Sequence, residues 1–549
     1  MSHVSASTRP RTPVHAPSAF VRAEGGRLVG PDGEPLLLRG VGLGNWLLPE
    51  GYMWGFGHAA ASPTQIEALV VDLVGEQEAA AFWRRFREVF VTQADVAQIA
   101  RDGFDHVRLP INWRVLMTGD GGWREDGFAL VERLVGWCRD AGLRVLLDLH
   151  GAPGGQTGTN IDDSDGRPAL FMDPRNADLT VALWVELARR YASEPAVLGY
   201  DLLNEPLPNE WQHTYPEQLV ALYRRITAAI RDVDPDHLIM YEGTHWATGW
   251  EIFTQVWDEN SALQFHKYWS AADRPSIQGY VEVGRRLGLP VYMGEGGENT
   301  PEWLAAAHQL YEDHGIGWNF WPWKKIDTQT SPMSVRAPEG WDRVLAYADG
   351  RGPRPDRADA VRILTDLLDA MPAHACERRE DVVHALFRRA PVTLPASAFT
   401  FRGAGASYGT TRAVPHPQLR PDDAVTLRRR DGGPDLGFEH PRAAGPEGDV
   451  VADLAPGDWL VLEPEVPAGT WEVVVLGTCG APGAPGAVPL LEVDGVPIAL
   501  HPAPAHATAL DDAWAAPLTS PRPDRVALRV AAADGGLTLA SVRVTGVAS

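Results

Sequence analysis

The sequence predicts an α/β fold in which a (β/α)8 TIM barrel is joined to a C-terminal all-β sandwich. Across residues 36–370, amphipathic helices, glycine-bearing turns and short buried strands alternate, as βαβ units require. After residue 395 the pattern changes to short alternating strands separated by Pro and Gly turns. We therefore expect a tail at residues 1–20, the barrel at 21–390 and the sandwich at 391–549.

The barrel strands are predicted from apolar runs that follow glycine-terminated helices. Gly103 and Gly142 each come just before such a run, and glycine past a helix supplies the left-handed cap residue. The predicted strands are residues 36–41, 104–109, 144–149, 197–203, 237–242, 262–266, 289–294 and 317–323. An open doubly wound sheet shows the same alternation. The barrel is preferred because no Gly-x-Gly-x-x-Gly loop follows the first strand.

The part of the chain that follows the barrel is predicted in less detail. Residues 390–395 are expected to be a linker, and the Pro/Gly-rich residues 480–486 a loop.

Composition excludes several classes of partner. The formal net charge of −23 argues against nucleic acid and against anionic membrane surfaces, which need a positive field. No apolar run approaches the length of a membrane span, and residues 1–17 lack a signal-peptide pattern, so a cytoplasmic location is expected. The three cysteines have no metal-ligand spacing, and neither a metal nor a cofactor is expected. The oligomeric state is left open.

Two glutamates come directly after buried strands, where a carboxylate is costly to desolvate. Glu205 follows the fourth predicted strand and Glu295 the seventh, so both lie at the same, C-terminal end of the barrel. Cleavage of a glycosidic bond needs a proton donor and a second carboxylate. The other candidate substrate-binding residues near strand ends are Arg108, His150, Asn204, His266, Tyr268, Trp321 and Trp323.

The residue types suggest roles in such a site. Arg108 and Tyr268 are suited to holding Glu295 ionised, and Asn204 to gripping a sugar hydroxyl. His150 and His266 can orient their neighbours, and Trp323 offers a ring on which a sugar could sit. Taken alone, Arg108 is equally well an ion-pair partner, and a lone His266 is more often structural.

Three features near the site have two readings each. The aromatic segment 44–58, which contains Trp46, is either a wall of the pocket or a plug on the barrel rim. Glu298 is either a subsite ligand or a surface charge. The acidic insertion 157–165 is either a Ca²⁺ site or a solvated tip, and its spacing, unlike that of an EF-hand, favours the tip.

In these motifs the chain resembles glycoside hydrolase family 5, a clan A retaining family, and most closely its exo-β-1,3-glucanase branch. The resemblance rests on Asn204-Glu205-Pro206, on Glu295, and on the tracts at 38–41, 103–110, 148–154, 266–268 and 320–324. It implies that Glu205 is the acid/base and Glu295 the nucleophile. The C-terminal part resembles carbohydrate-binding modules of families 6 and 35, through residues 457–473, 493–495 and 537–542.

The predicted function is therefore a retaining β-glycosidase acting on short β-glucosides, as an exo-β-glucanase or β-glucosidase, with a carbohydrate as partner. Other β-glycosides, including galactosides, arabinosides and glycolipids, remain open, as does a non-catalytic sugar-binding barrel. Whether the C-terminal module binds sugar or only packs on the barrel is also left open.

Overall fold

The computed structural model describes residues 19–412, 414–433, 450–480, 488–503 and 512–547. Eight parallel strands close into a barrel. In chain order, β1 to β8 are Arg39–Gly42, His106–Asn112, Arg144–Gly151, Val197–Asp201, Leu238–Glu242, Ser261–His266, Val291–Gly297 and Gly317–Trp321. Each predicted strand overlaps one of these, so the predicted barrel is confirmed.

Helices surround the barrel. In chain order, α1 to α12 are Pro63–Val74, Glu76–Val89, Gln93–Asp102, Trp113–Leu116, Glu125–Asp140, Pro174–Tyr191, Pro216–Arg231, Pro275–Leu287, Pro301–Asp313, Trp341–Ala348, Arg357–Asp369 and Glu380–Phe387. Gly103 ends α3 in the left-handed conformation, with φ of 96°. The same role predicted for Gly142 holds in part, because it has a positive φ but Ala141 is the cap residue of α5.

Short strands lie outside the barrel wall. Arg22–Glu24 and Arg27–Val29 form a hairpin before β1. Lys324–Ile326, Met333–Val335 and Glu377–Arg378 form a small sheet after β8.

The C-terminal region contains two antiparallel sheets that share one apolar core. The larger sheet contains Val392–Pro395, Thr426–Arg429, Val450–Leu454, Gly469–Cys479, His501–Ala503, Asp512–Ser520 and Leu537–Gly546. The smaller contains Tyr408–Gly409, Trp459–Leu462, Leu490–Val493, Val496–Ile498 and Leu528–Ala531. Glu465–Val466 pairs with Asp524–Arg525 at its margin. The prediction of a strand-rich sandwich is confirmed.

The expected linker at 390–395 is wrong in part, because Val392–Pro395 is a strand that pairs with Leu537–Gly546. The sandwich therefore begins directly after α12. Most of the predicted tail, residues 1–18, and most of the predicted loop, residues 481–486, lie outside the described residues.

A buried carboxylate joins the barrel to the sandwich. Glu312 of α9 accepts hydrogen bonds from Arg39 at 2.9 Å and Arg388 at 2.5 Å, and from Arg525 of the sandwich. Burial opposes ionisation, but the three guanidinium groups outweigh it and hold the pKa of Glu312 well below its ordinary value. The sandwich is thus fixed to the barrel through a charged contact.

Every helix in the described part of the chain is too short or too polar to span a membrane.

Candidate active site

Arg108 on β2 lies at the centre of the polar cluster at the C-terminal end of the barrel, and it is fully buried. Its guanidinium lies within 3.2 Å of five acceptor side chains: Asp148, Asp201, Asn204, Glu242 and Glu295. Burial disfavours the charge, but the surrounding carboxylates outweigh it and raise the pKa of Arg108. Arg108 is therefore a fixed positive charge around which the carboxylates are arranged.

Glu295 on β7 is held through both of its oxygens. Arg108 donates to Oε2 at 2.8 Å and the Tyr268 hydroxyl donates to Oε1 at 2.8 Å. Burial and the charge of Glu205 raise the pKa of Glu295 above its ordinary value, although the positive charges of His266 and Arg108 oppose this rise. The residue before Glu295, Gly294, makes room for the Gln264 side chain, because a Cβ at position 294 would lie 2.0 Å from that side chain.

Glu205 lies in a tight turn after β4, with φ of 46°. Its backbone N–H donates to Glu242 at 2.7 Å, and its Oε1 lies 2.8 Å from His266 Nδ1. His266 Nε2 lies 3.2 Å from Glu242 Oε1. Burial alone would lower the pKa of His266, but Glu242 and Glu295 outweigh it and raise the pKa well above the ordinary value. His266 is therefore an imidazolium that donates to Glu205 and to Glu242.

Glu205, Glu295 and His266 each place one ligand-type atom within 4.8 Å of the other two. Such a group could in principle hold a metal ion. An imidazolium, however, has both ring nitrogens protonated and offers no lone pair to a metal. The cluster is therefore better suited to proton transfer than to metal binding.

His150 and Asn204 form a second, neutral side of the site. His150 Nδ1 donates to Asp148 at 2.7 Å, and Asn204 Nδ2 lies 3.3 Å from His150 Nε2. Burial lowers the pKa of His150 to about 4, so its ring is neutral at pH 7. The Trp321 indole stacks on this ring at 5.6 Å with an interplanar angle of 6°.

The acidic insertion 157–165 supports the segment that positions His150 and Asn204. The prediction of a solvated tip is wrong for Asp162, the carboxylate of this insertion that is buried. Asp162 is buried and accepts from the Gln156 backbone N–H at 2.6 Å. The Gln156 side chain donates to the carbonyls of His150 and Asn204, at 2.8 and 2.9 Å. The insertion thus fixes Gln156, which in turn positions His150 and Asn204.

Two tryptophans lie elsewhere than expected. Trp323 is buried and donates to Asp95 of α3 at 3.0 Å, so its ring packs behind the barrel wall. Trp46 is also buried and donates to the Arg87 carbonyl of α2 at 3.0 Å. The indole that does lie against the polar cluster is Trp321. The expected placement of Trp323 and Trp46 in the sugar pocket is therefore wrong.

Trp46 instead lines a separate cavity of about 550 Å³ with Trp83, Arg87 and Trp113. No member of the carboxylate cluster is among the described residues that line it. The aromatic segment 44–58 thus contributes to two places. Trp46 packs away from the carboxylate cluster, whereas Tyr52 lies beside it, next to Trp321.

Four residues complete the site beyond Glu295. Glu298 forms an ion pair with Lys325 at 2.5 Å. Lys325 Nζ lies 5.2 Å from the centre of the Tyr52 ring, and the Tyr52 hydroxyl accepts a hydrogen bond from Trp321 at 2.9 Å. Glu50 is buried beside them, and its Oε1 has no hydrogen-bond partner among the described residues.

Sequence reasoning missed Glu50 and Lys325, and it included Tyr52 only as a member of the aromatic segment 44–58. The clue available for Glu50 was a lone carboxylate after an apolar run that ends in proline.

Glu50 is expected to lower stability at neutral pH. Burial, followed by the charges of Glu295, Glu298 and Glu205, raises the pKa of Glu50. The folded protein thus holds this proton more tightly than the unfolded chain, whose carboxyl has a pKa of about 4.3. The free energy of unfolding is therefore not reduced by Glu50 below that value, and it falls as the pH rises towards the pKa that Glu50 has in the folded protein.

In Glu50→Gln this loss is absent, so the variant should exceed the wild type in free energy of unfolding by about 1–3 kcal/mol at pH 7.5. At pH 4 the two proteins should be equally stable. Urea unfolding at both pH values measures the difference. A difference independent of pH would contradict this account of Glu50.

Comparisons with known proteins agree with this arrangement. Residues 69–327 match the family model described as cellulase (glycosyl hydrolase family 5). The chain is 30% identical over 352 residues to a β-xylosidase of Phanerodontia chrysosporium, covering 57% of this chain and 72% of that protein. It is 27% identical over 383 residues to a probable glucan 1,3-β-glucosidase A of Neosartorya fischeri, covering 58% and 88%.

Among solved structures, the chain is similar to an endogalactoceramidase, with a TM-score of 0.47 and 18% identity over 95% of this chain and 99% of the other. A likeness this distant carries no conclusion about substrate. The sequence relatives and the family match decide the assignment. The chain belongs to glycoside hydrolase family 5 and is an enzyme that hydrolyses O-glycosidic bonds of β-glycosides with retention of configuration.

Proposed function

We propose that this enzyme removes the terminal sugar from short β-glucosides by double displacement, with Glu205 as acid/base and Glu295 as nucleophile. The observation that carries the assignment is the asymmetry between the two glutamates. Glu295 is held by Arg108 and Tyr268, two donors that stabilise a carboxylate. Glu205 lies outside this pair, and among the described residues its side chain has a single donor, the imidazolium of His266.

The spacing of the glutamates supports the same mechanism. One oxygen of Glu205 lies within 4.8 Å of one oxygen of Glu295. Retaining enzymes need carboxyl groups about 5–5.5 Å apart, since no water has to fit between the second carboxylate and the sugar. Inverting enzymes need about 6.5–9.5 Å.

The steps follow from these contacts. Glu295 attacks the anomeric carbon while Glu205 gives its proton to the departing oxygen, and a glycosyl ester forms on Glu295. Glu205, now ionised, removes a proton from water, which attacks the anomeric carbon and releases Glu295. Arg108 and Tyr268 stabilise Glu295 as a leaving carboxylate in this second step. Asn204, linked to Arg108 and His150, is placed to bind a hydroxyl of the same sugar.

The glucoside preference is inferred from the relatives, of which several are named as probable glucan 1,3-β-glucosidases and one as a β-xylosidase. A panel of p-nitrophenyl β-D-glucoside, β-D-xyloside, β-D-galactoside and α-L-arabinofuranoside tests it. We expect the highest kcat/KM for the glucoside, with β-glucose as the first product by NMR. A higher value for any other sugar would overturn the glucoside assignment without touching the mechanism.

His266 is expected to set the acid side of the pH profile. Its positive charge lowers the pKa of Glu295, which burial raises. In His266→Gln the charge is lost, so Glu295 should take up its proton at higher pH. The acid limb of kcat/KM should therefore move to higher pH by about 1 unit. A normalised pH–rate profile for a neutral aryl glucoside measures this, and an unchanged or lower acid limb would contradict the role given to His266.

A further inference from the structure

The turn that carries Glu205 has a strained backbone. We call residues 204–209, which follow β4, the acid/base turn; in it Glu205, Leu207 and Asn209 have φ of 46°, 53° and 51°. Residues with a Cβ rarely take this left-handed conformation. Glu205 and Leu207 each also precede a proline, which favours an extended backbone at the residue before it. Three of the six residues in the turn therefore need outside contacts to keep their conformation.

A second strained loop lies against the acid/base turn. In residues 243–250, which follow β5, three consecutive residues beginning at His245 have φ of 53°, 59° and 63°. This loop is closed by backbone bonds of its own, because Thr244 and Gly249 exchange N–H···O bonds of 2.9 and 2.8 Å. Strained residues of this kind cluster at functional sites and persist only where the surrounding structure over-determines them.

The His245 side chain links the two loops through one ring nitrogen. The Asn209 backbone N–H and the Gln212 side-chain amide both donate to His245 Nδ1, each at 3.1 Å. The Gln212 amide also donates to the Asn209 carbonyl at 2.8 Å. Because both partners are donors, Nδ1 carries no proton and is the acceptor of both bonds. The His245 backbone N–H donates to the Leu207 carbonyl at 3.1 Å.

The acid/base turn is thus held at both of its ends by residues that follow one another along β5 and its loop. At the start of the turn, the Glu205 N–H donates to Glu242, the last residue of β5. At its end, Leu207 and Asn209 are bonded to His245. A general acid must lie within hydrogen-bond reach of the oxygen it protonates, and a displacement of about 1 Å can cost about 10²-fold in rate. The hold on both ends of the turn therefore matters for the chemistry of Glu205.

We propose that His245 is a positioning residue for the acid/base. By accepting hydrogen bonds at Nδ1, it keeps the acid/base turn in its left-handed conformation and the Glu205 carboxyl directed at the departing oxygen. The inference rests on the proposed function and adds to it a residue outside the reacting group. His266 contacts the Glu205 carboxyl itself, whereas His245 acts on the backbone that carries this carboxyl.

The test compares kcat/KM for a 2,4-dinitrophenyl glycoside with kcat/KM for the phenyl glycoside of the same sugar. The sugar is the one that the panel of aryl glycosides selects, with β-glucose expected. For both substrates kcat/KM covers the steps up to the ester on Glu295, but only phenol needs a well-placed proton donor to depart. A change in folding or in binding of the aromatic leaving group alters both values alike. The ratio of the two values therefore reports the placement of Glu205.

In His245→Ala we expect the ratio of the dinitrophenyl to the phenyl value to rise about 10- to 100-fold, the effect of a displaced general acid. His245→Asn should keep the ratio within about 3-fold of the wild type, because its side-chain oxygen can accept from the same donors and asparagine tolerates a positive φ. The matched control is His213→Ala, which removes an exposed histidine from the neighbouring helical turn Asn209–His213 and should leave the ratio unchanged.

His245→Phe, which keeps a ring but has no acceptor, replaces His245→Ala if that variant unfolds. An unchanged ratio in a folded, active His245→Ala or His245→Phe protein would overturn the proposal, even if both kcat/KM values fell. An equally large rise in His245→Asn would overturn it as well, because the acceptor would then be irrelevant. Failure of the proposed function has a different signature, since the wild-type enzyme would then hydrolyse none of the aryl glycosides.

Discussion

Glu295→Ala is expected to reduce kcat for an aryl β-glucoside by roughly 10⁴-fold or more, because the variant cannot form the glycosyl ester. Arg108 and Tyr268 would remain in place with no carboxylate between them. Added azide should enter the space left by the side chain and attack the sugar directly. Since only one displacement then occurs, the product should be the α-glycosyl azide, identified by NMR.

The matched control for this variant is Glu259→Ala. Glu259 is exposed and precedes β6, at the opposite end of the barrel from the carboxylates. It should retain wild-type kcat, and circular dichroism should show that both variants are folded. A folded Glu295→Ala protein with near-wild-type turnover would exclude Glu295 as the nucleophile.

Glu205→Ala should lose activity in a way that depends on the leaving group. General acid catalysis contributes about 10²–10⁴-fold, so alkyl glucosides and p-nitrophenyl glucoside should suffer most. A 2,4-dinitrophenyl glucoside, whose leaving group needs little protonation, should still form the ester on Glu295 rapidly. The ester should then accumulate as a burst, because no base remains to activate water.

Azide also separates the roles of the two glutamates. In Glu205→Ala it should attack the ester on Glu295 and give the β-glycosyl azide, the opposite anomer from that expected with Glu295→Ala. If the two anomers were exchanged between the variants, the acid/base and nucleophile assignments would have to be exchanged as well.

The barrel and its strand-end residues are predictable because their physical signals are local. Glu205 follows a buried strand and Glu295 lies near the end of another, and parallel strands of a closed barrel bring their C-terminal ends together. The same reasoning selects Arg108, which the structure places against Glu295. Knowledge of the pairing between strands was not needed for these residues.

Residues beyond the strand ends are harder to place. Trp321 and Trp323 are two positions apart, so strand alternation puts both indoles on one face. Strand β8 ends at Trp321, however, and the chain turns, so only Trp321 stays in the site. Glu50 lies in the loop after β1 and Lys325 in the short strand after β8. These two barrel strands are neighbours far apart in the sequence, and only barrel closure brings the two residues together.

Asp162 shows that amino-acid composition alone does not predict whether a loop carboxylate is buried. An insertion rich in Asp suggests a solvated loop, yet one carboxylate can be buried if backbone N–H groups satisfy it. Asp162 accepts such bonds from Gln156 and Thr157, at 2.6 and 2.5 Å. Loop geometry, which composition does not determine, decided between the two outcomes.

The central claim is that Glu295 is the nucleophile, and a mechanism-based label tests it most directly. The wild-type enzyme would be incubated with 2-deoxy-2-fluoro-β-D-glucosyl fluoride and with its xylo and galacto counterparts, and the peptides mapped by mass spectrometry. We predict that at least one of them inactivates the enzyme and leaves a single fluoro-sugar ester on Glu295. A label on the nearby Glu298 or on Glu205 would contradict the assignment, and so would turnover of the matching aryl glycoside without any label.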